Sequence, residues 1–162
     1  MILGPEEITA LILSLKVATL AVAASLPFGI GVAMVLARGR LPGLWLLNAL
    51  VHLPLILPPV VTGYALLLGF GRKGPIGAFL YETFGITLAF RWTGAALAAS
   101  VMGLPLMVRA IRLALEAVDP KLEQAAATLG APRIAVFLTV TLPLILPGII
   151  AGAILAFAKA MG

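Results

Sequence analysis

The sequence has no cysteine, a single histidine, six acidic residues and eleven basic ones in 162 positions. Without cysteine there can be no disulfide, no thiolate metal site and no cysteine nucleophile. His52 has no carboxylate or second histidine near it in the chain, so a hydrogen-bonded structural role is expected and a metal site is not. Charge is scarce as well, at 10% of residues where a soluble domain carries about a quarter, which excludes a water-exposed globule of this size. Disorder is excluded by the opposite property, since 62% of the residues are hydrophobic. The net charge of +5 invites a nucleic-acid reading, but the basic residues are scattered between apolar runs instead of gathered on one face. They read as membrane flanks, and no nucleic-acid partner, catalytic residue, metal or cofactor is expected.

Long uncharged runs make up most of the chain. Residues 17–37, 41–71, 92–108 and 134–158 give stretches of 21, 31, 17 and 25 positions without a charge, and a helix needs roughly 20 apolar residues to cross the hydrocarbon. The expected fold is all-α, a polytopic transmembrane helix bundle with about four spans over residues 8–37, 44–70, 91–114 and 134–160 in one membrane domain. A membrane β-barrel would alternate apolar and polar residues, and these runs do not. The first run is not a cleavable signal, because Glu6 and Glu7 stand where a basic leader belongs. Small residues recur at every fourth position: Ala21, Ser25, Gly29 and Ala33; Ala95, Ala99 and Gly103; Gly148, Gly152 and Ala156. Ridges of this kind let helix backbones approach closely in lipid. Basic residues set the orientation. Arg38, Arg40, Arg109, Arg112, Lys121 and Arg133 fall on one side and Arg72, Lys73 and Arg91 on the other, which puts the N-terminus outside and residues 109–133 in the cytoplasm.

One stretch within the cytoplasmic segment 115–133 has a character of its own. Asp119 is placed to cap a helix, Pro120 suits its first position, and Gly130 supplies a left-handed stop. Leu122, Ala125, Ala126 and Leu129 share one face, while Lys121, Gln124 and Thr128 lie elsewhere. Eleven residues reach only about 16 Å, too short to cross. The face is two leucines and two alanines, flat and shallow with Glu123 nearby, and suits a protein groove better than lipid headgroups.

Gln124, Ala125, Ala126, three residues, Gly130, nine residues, then Val140, Thr141, Leu142 and Pro143 resemble the EAA loop of ABC importer permeases. That pattern is Glu-Ala-Ala, three residues, Gly, nine residues, Ile, any residue, Leu, Pro. Gln124 stands in place of its Glu, with Glu123 one position earlier, and Val140 in place of its Ile. The likeness extends to Ser25-Leu26-Pro27-Phe28-Gly29, to His52-Leu53-Pro54-Leu55-Ile56-Leu57-Pro58-Pro59 and to Arg109-Ala110-Ile111-Arg112, which are similar to the molybdate permeases. The resemblance implies a type I ABC importer permease in the inner membrane that works as a homodimer. Its partners would be cytoplasmic ATP-binding subunits, a periplasmic oxyanion-binding protein, a second copy of the permease and the lipid itself. Coupling to the ATPase would fall to Asp119, Leu122, Glu123, Gln124, Ala125, Ala126, Leu129, Gly130, Leu142 and Pro143. The family's chains also continue beyond the position of Gly162, so the resemblance implies a fragment.

Pro54, Pro58 and Pro59 interrupt the second run, with Thr62 and Tyr64 close behind. Proline removes backbone donors and frees carbonyls, which membranes tolerate only against protein or a water-filled cavity. Two readings stand: an unwound pathway segment offering hydroxyls to a tetrahedral oxyanion, or a structural kink. Lys16, alone in the first apolar run, either snorkels to the outer interface or attracts an incoming anion. The substrate alternatives are sulfate, thiosulfate and tungstate. A secondary transporter or channel should carry coupling carboxylates inside its spans, and none of the six acids lies in one. An intramembrane enzyme would need a paired nucleophile and base that the spans do not hold.

Overall fold

A computed structural model describes residues 4–162, and every regular element in them is helical. Helix α1 runs Pro5–Arg38; Pro5 occupies its first turn, the Glu7 carboxylate accepts from the Gly4 amide at 2.9 Å, and Arg38 closes the last turn. At 34 residues it is about 51 Å long, well beyond a hydrocarbon core of about 30 Å. Its first turns carry exposed Ile8, Leu11, Ile12 and Leu15, and the packed portion begins near Ala18.

The core is a three-helix arrangement of α1, α5 (Trp92–Ala117) and α8 (Leu142–Met161). Contacts between Lys16 and Trp92, Ala21 and Ser100, and Gly29 and Met107 advance in step, so α1 and α5 run parallel. Gly103 meets Ala156, Met107 meets Gly152, and Ala114 meets Gly148, so α8 runs antiparallel to both. The expected ridge of Ala21, Ser25, Gly29 and Ala33 is buried throughout, as are Gly152 and Ala156. On α5 the expected ridge holds in part: Gly103 is buried and Ala99 half-buried, but Ala95 is exposed, and Ala96, Met107 and Ile111 complete the packed stripe. Met107 is fully buried between two glycines. A Cβ on Gly29 would lie 2.8 Å from its sulfur, and one on Gly152 would lie 3.0 Å from its carbonyl oxygen. In lipid this interlock matters more than apolar burial, because hydrocarbon tails are no less apolar than leucine.

The second apolar run is not one straight helix. It divides into α2 (Leu44–Ile56) and α3 (Pro59–Phe70), bent by 117° across Leu57 and Pro58. Pro54 does not break the chain and lies inside α2, whereas Pro59 starts α3, where its missing N–H costs nothing. At 13 and 12 residues, neither half can cross alone. The connection that holds them returns the chain to its starting side, because α1 and α5 run parallel. Among the described residues there are thus three continuous helices long and apolar enough to cross, or four spans with the broken pair counted as one.

A short helix α4 (Pro75–Phe84) follows α3, and the loop to α5 presents Phe90 to solvent. Lys16 is settled at this end of the bundle, its ammonium 4.5 Å from the centre of the Trp92 ring. That contact and the exposure of Lys16 agree with a snorkelling side chain.

Candidate functional site

At the opposite end α5 leads into α6 (Pro120–Thr128), then α7 (Arg133–Val136), a π-helical turn over Phe137–Thr141, and α8. The signals read from the sequence hold locally. The Asp119 carboxylate accepts from the Lys121 amide at 2.9 Å, Pro120 is the first helical residue, and Gly130 has φ of 86°, a left-handed conformation that disfavours any side chain.

No residue of α6 is buried, so the helix lies on the bundle without sinking into it. Leu122, Gln124 and Ala125 are exposed, Leu129 just beyond the helix is 89% exposed, and Ala126 is half-buried. Leu142 packs against the core and Pro143 faces outward one position later. Glu123 points the other way, into the bundle. Its carboxylate accepts from Arg38 Nη1, the last residue of α1, at 2.5 Å, and from the hydroxyl of Thr141, which is 1% exposed. A cavity of about 350 Å³ opens beside this contact, lined by Met34, Arg38, Gln124, Ala127, Arg133 and Phe137 among others.

Partial burial raises the proton affinity of Glu123, but the hydrogen bonds from Arg38 and Thr141 and the charge of Arg38 outweigh it, leaving the carboxyl below its ordinary range. For a depressed carboxylate, the stabilisation is present above the unfolded value and lost as pH falls through the folded one. At neutral pH the Glu123 carboxylate is therefore ionised.

Sequence reasoning missed two members of this cluster. Arg38 registered only as a topology charge, and its partner lies 85 positions away. Thr141 occupies the position where the loop pattern accepts any residue. A usable sign of its role is that a threonine in a helix ordinarily returns its hydroxyl to a carbonyl one turn back, as Thr9, Thr19 and Thr139 do here. Thr141 instead gives its hydroxyl to the Glu123 carboxylate.

The candidate pathway residues are less gathered. Pro58 and Pro59 are exposed at the bend and Pro54 is half-buried. Thr62 is buried with its hydroxyl 3.5 Å from the Pro58 carbonyl, while Tyr64 is 62% exposed. Two positions apart on one helix, they point to different sides and do not converge on a shared cavity. His52 bonds through Nδ1 to the Asn48 carbonyl at 2.8 Å, a local contact within α2.

Residues 25–162 match the family of binding-protein-dependent transport system inner membrane components. The chain belongs to this family. It is 64% identical over 162 residues to the molybdenum transport system permease protein ModB of Escherichia coli (strain K12), covering all of this chain and 71% of that one. With the protein of the same name from Haemophilus influenzae it shares 54% over 156 residues, 96% of this chain and 68% of that one. With the sulfate transport system permease protein CysT of Salmonella typhimurium it shares 38% over 159 residues, 98% of this chain and 57% of that one. The chain is accordingly a multi-pass membrane protein, and its relatives are transport permeases and not enzymes.

Proposed function

We propose that this chain is the membrane-spanning subunit of an ABC importer that carries molybdate across the inner membrane by alternating access. The observation that carries the reading is the difference in similarity, 64% and 54% to two molybdenum permeases against 38% and 43% to two sulfate permeases over nearly the same residues. Cytoplasmic ATP-binding subunits would dock on the exposed side of α6, where Leu122, Ala125 and Leu129 form a shallow surface flanked by Ala126 and Gln124. Asp119 and Gly130 hold the ends of that surface, and Leu142 and Pro143 join it to α8. A periplasmic oxyanion-binding protein would deliver substrate at the Trp92 end, and a second copy of the chain would complete the pathway. The break at Pro58 and Pro59, with Pro54, Thr62 and Tyr64 around it, is the segment proposed to line that pathway. Sulfate, thiosulfate and tungstate are the same shape of dianion, which makes substrate choice the decisive measurement. Proteoliposomes holding the complete transporter are expected to accumulate labelled molybdate in the presence of ATP, with tungstate competing and a large excess of sulfate competing poorly. Equal competition by sulfate would transfer the assignment to a sulfate permease.

Orientation supplies a second expected result. Arg38 and α6 share one end of the bundle while Lys16 and Trp92 share the other, and the proposal places the first end in the cytoplasm and the N-terminus outside. Because the chain lacks cysteine, single cysteines can be introduced without background. In intact cells an impermeant maleimide is expected to label position 79 and spare position 125. The reverse pattern would invert the topology.

A further inference from the structure

The contacts of α6 are uneven in a way that bears on how force leaves it. The chain joins α6 directly to α5 on one side and to α7 on the other, and α6 packs against α7 and the π turn. Helix α1 has no such link. Its chain departs after Arg38 toward α2, and the 350 Å³ cavity separates Met34 of α1 from Ala127 of α6 where apolar packing would otherwise join them. Among the described residues, the side-chain hydrogen bonds between α6 and α1 are those from Arg38 to Glu123. One oxygen of that carboxylate also receives the Thr141 hydroxyl, so the ends of α1, α6 and the π turn meet at a single group. Two further features mark Thr141: it closes a π turn, a departure from the α ladder often found at functional sites, and its buried hydroxyl reaches a carboxylate on another helix instead of a carbonyl of its own.

We propose that Arg38, Glu123 and Thr141 form a strut that delivers movement of α6 to α1, which makes Glu123 a positioning residue for transport instead of a contact for the ATPase. This rests on the reading of α6 as the ATPase docking helix. A partly exposed ion pair contributes little to stability, so removing it should leave the bundle assembled. What it should lose is the coordination of α1 with the other two core helices.

The test uses the complete transporter in proteoliposomes, reading molybdate uptake and the ratio of ATP hydrolysis with and without loaded binding protein. Glu123→Ala and Arg38→Glu are each expected to lower both about tenfold, the scale of one charge-assisted hydrogen bond. Thr141→Val should act in the same direction and less strongly. Combining Arg38→Glu with Glu123→Arg should recover both quantities to within about threefold, because opposite charges again meet and the Thr141 hydroxyl can accept as readily as donate. Wild-type behaviour of Glu123→Ala overturns the strut, as does an exchanged pair no better than its single variants. If Glu123→Ala does not assemble, the exchanged pair decides alone. Absence of stimulation in the unmodified transporter is a different failure, since it removes the docking reading and the strut together.

Discussion

Leu129→Arg is expected to abolish stimulation of ATP hydrolysis by loaded binding protein and to cut uptake by roughly two orders of magnitude, the scale of burying an unpaired arginine at the centre of an interface. The side chain is 89% exposed and no part of the core cluster, so within this subunit the arginine displaces nothing. An effect on function therefore reports on what covers the residue in the assembled transporter. About 2 kcal/mol or more is typical for a central interface anchor, and each 1.4 kcal/mol is tenfold. Leu122→Arg should act similarly, while Leu129→Ala should cost less because it loses contact without introducing charge. The checks are co-purification of the ATPase with the permease, the stimulated hydrolysis rate, and the melting temperature of the solubilised permease, which should not move. Full stimulation in Leu129→Arg would show that the exposed side of α6 is not the docking surface.

Gly148→Val should reduce the stability of the solubilised protein by about 1–3 kcal/mol or more, the range for forcing extra volume into a packed interior. A Cβ at this position would fall 2.3 Å from the Ala114 Cβ and 3.1 Å from the Ala110 carbonyl oxygen. Neither neighbour is the end of a flexible side chain, so the helices must separate. Since α5 and α8 are held by close contact and not by exclusion from water, separation removes the attraction itself. Gly31 provides the contrast: it is exposed with nothing within 4 Å, and Gly31→Ala should be neutral or slightly stabilising. Pairing Gly148→Ala with Ala114→Gly should return most of what Gly148→Ala alone loses, because the small group has only changed sides. Melting curves of the four variants and the wild type decide it, and equal melting of Gly148→Val and wild type would show that α5 and α8 do not pack at this point.

Much of the architecture was legible from residues close together in the chain. Uncharged length marked the long apolar helices α1, α5 and α8, since the cost of placing charge in hydrocarbon acts on each segment separately. The ends of α6 were legible for a similar reason: Asp119, Pro120 and Gly130 act on backbone groups within one turn of themselves. The ridge along α1 followed from four-residue spacing alone, yet on α5 the same spacing found Gly103 but strayed at the start of the helix, to exposed Ala95 where Ala96 packs. Spacing defines a face, and only the neighbouring helices decide how that face is turned.

The prolines of the second run show the boundary sharply. Their positions announced an interruption, but Pro54 stays within a helix and the 117° bend falls at Leu57 and Pro58. That angle depends on what the two halves pack against, α5 and α1 for α2 and α4 for α3, which no local stretch carries. The meeting of Arg38 with Glu123 and Thr141 is of the same kind. A charge at the end of a span reads as a topology signal, and a threonine in a loop pattern reads as filler. Composition and local pattern by themselves thus determined an all-helical membrane chain with three or four apolar segments long enough to cross, and a short capped helix, because those depend on backbone and solvent energetics within a few turns. Only the tertiary structure decided which residues hold that helix to the bundle, because the partners of Glu123 lie 85 and 18 positions from it and meet through the packing of α1, α5 and α8.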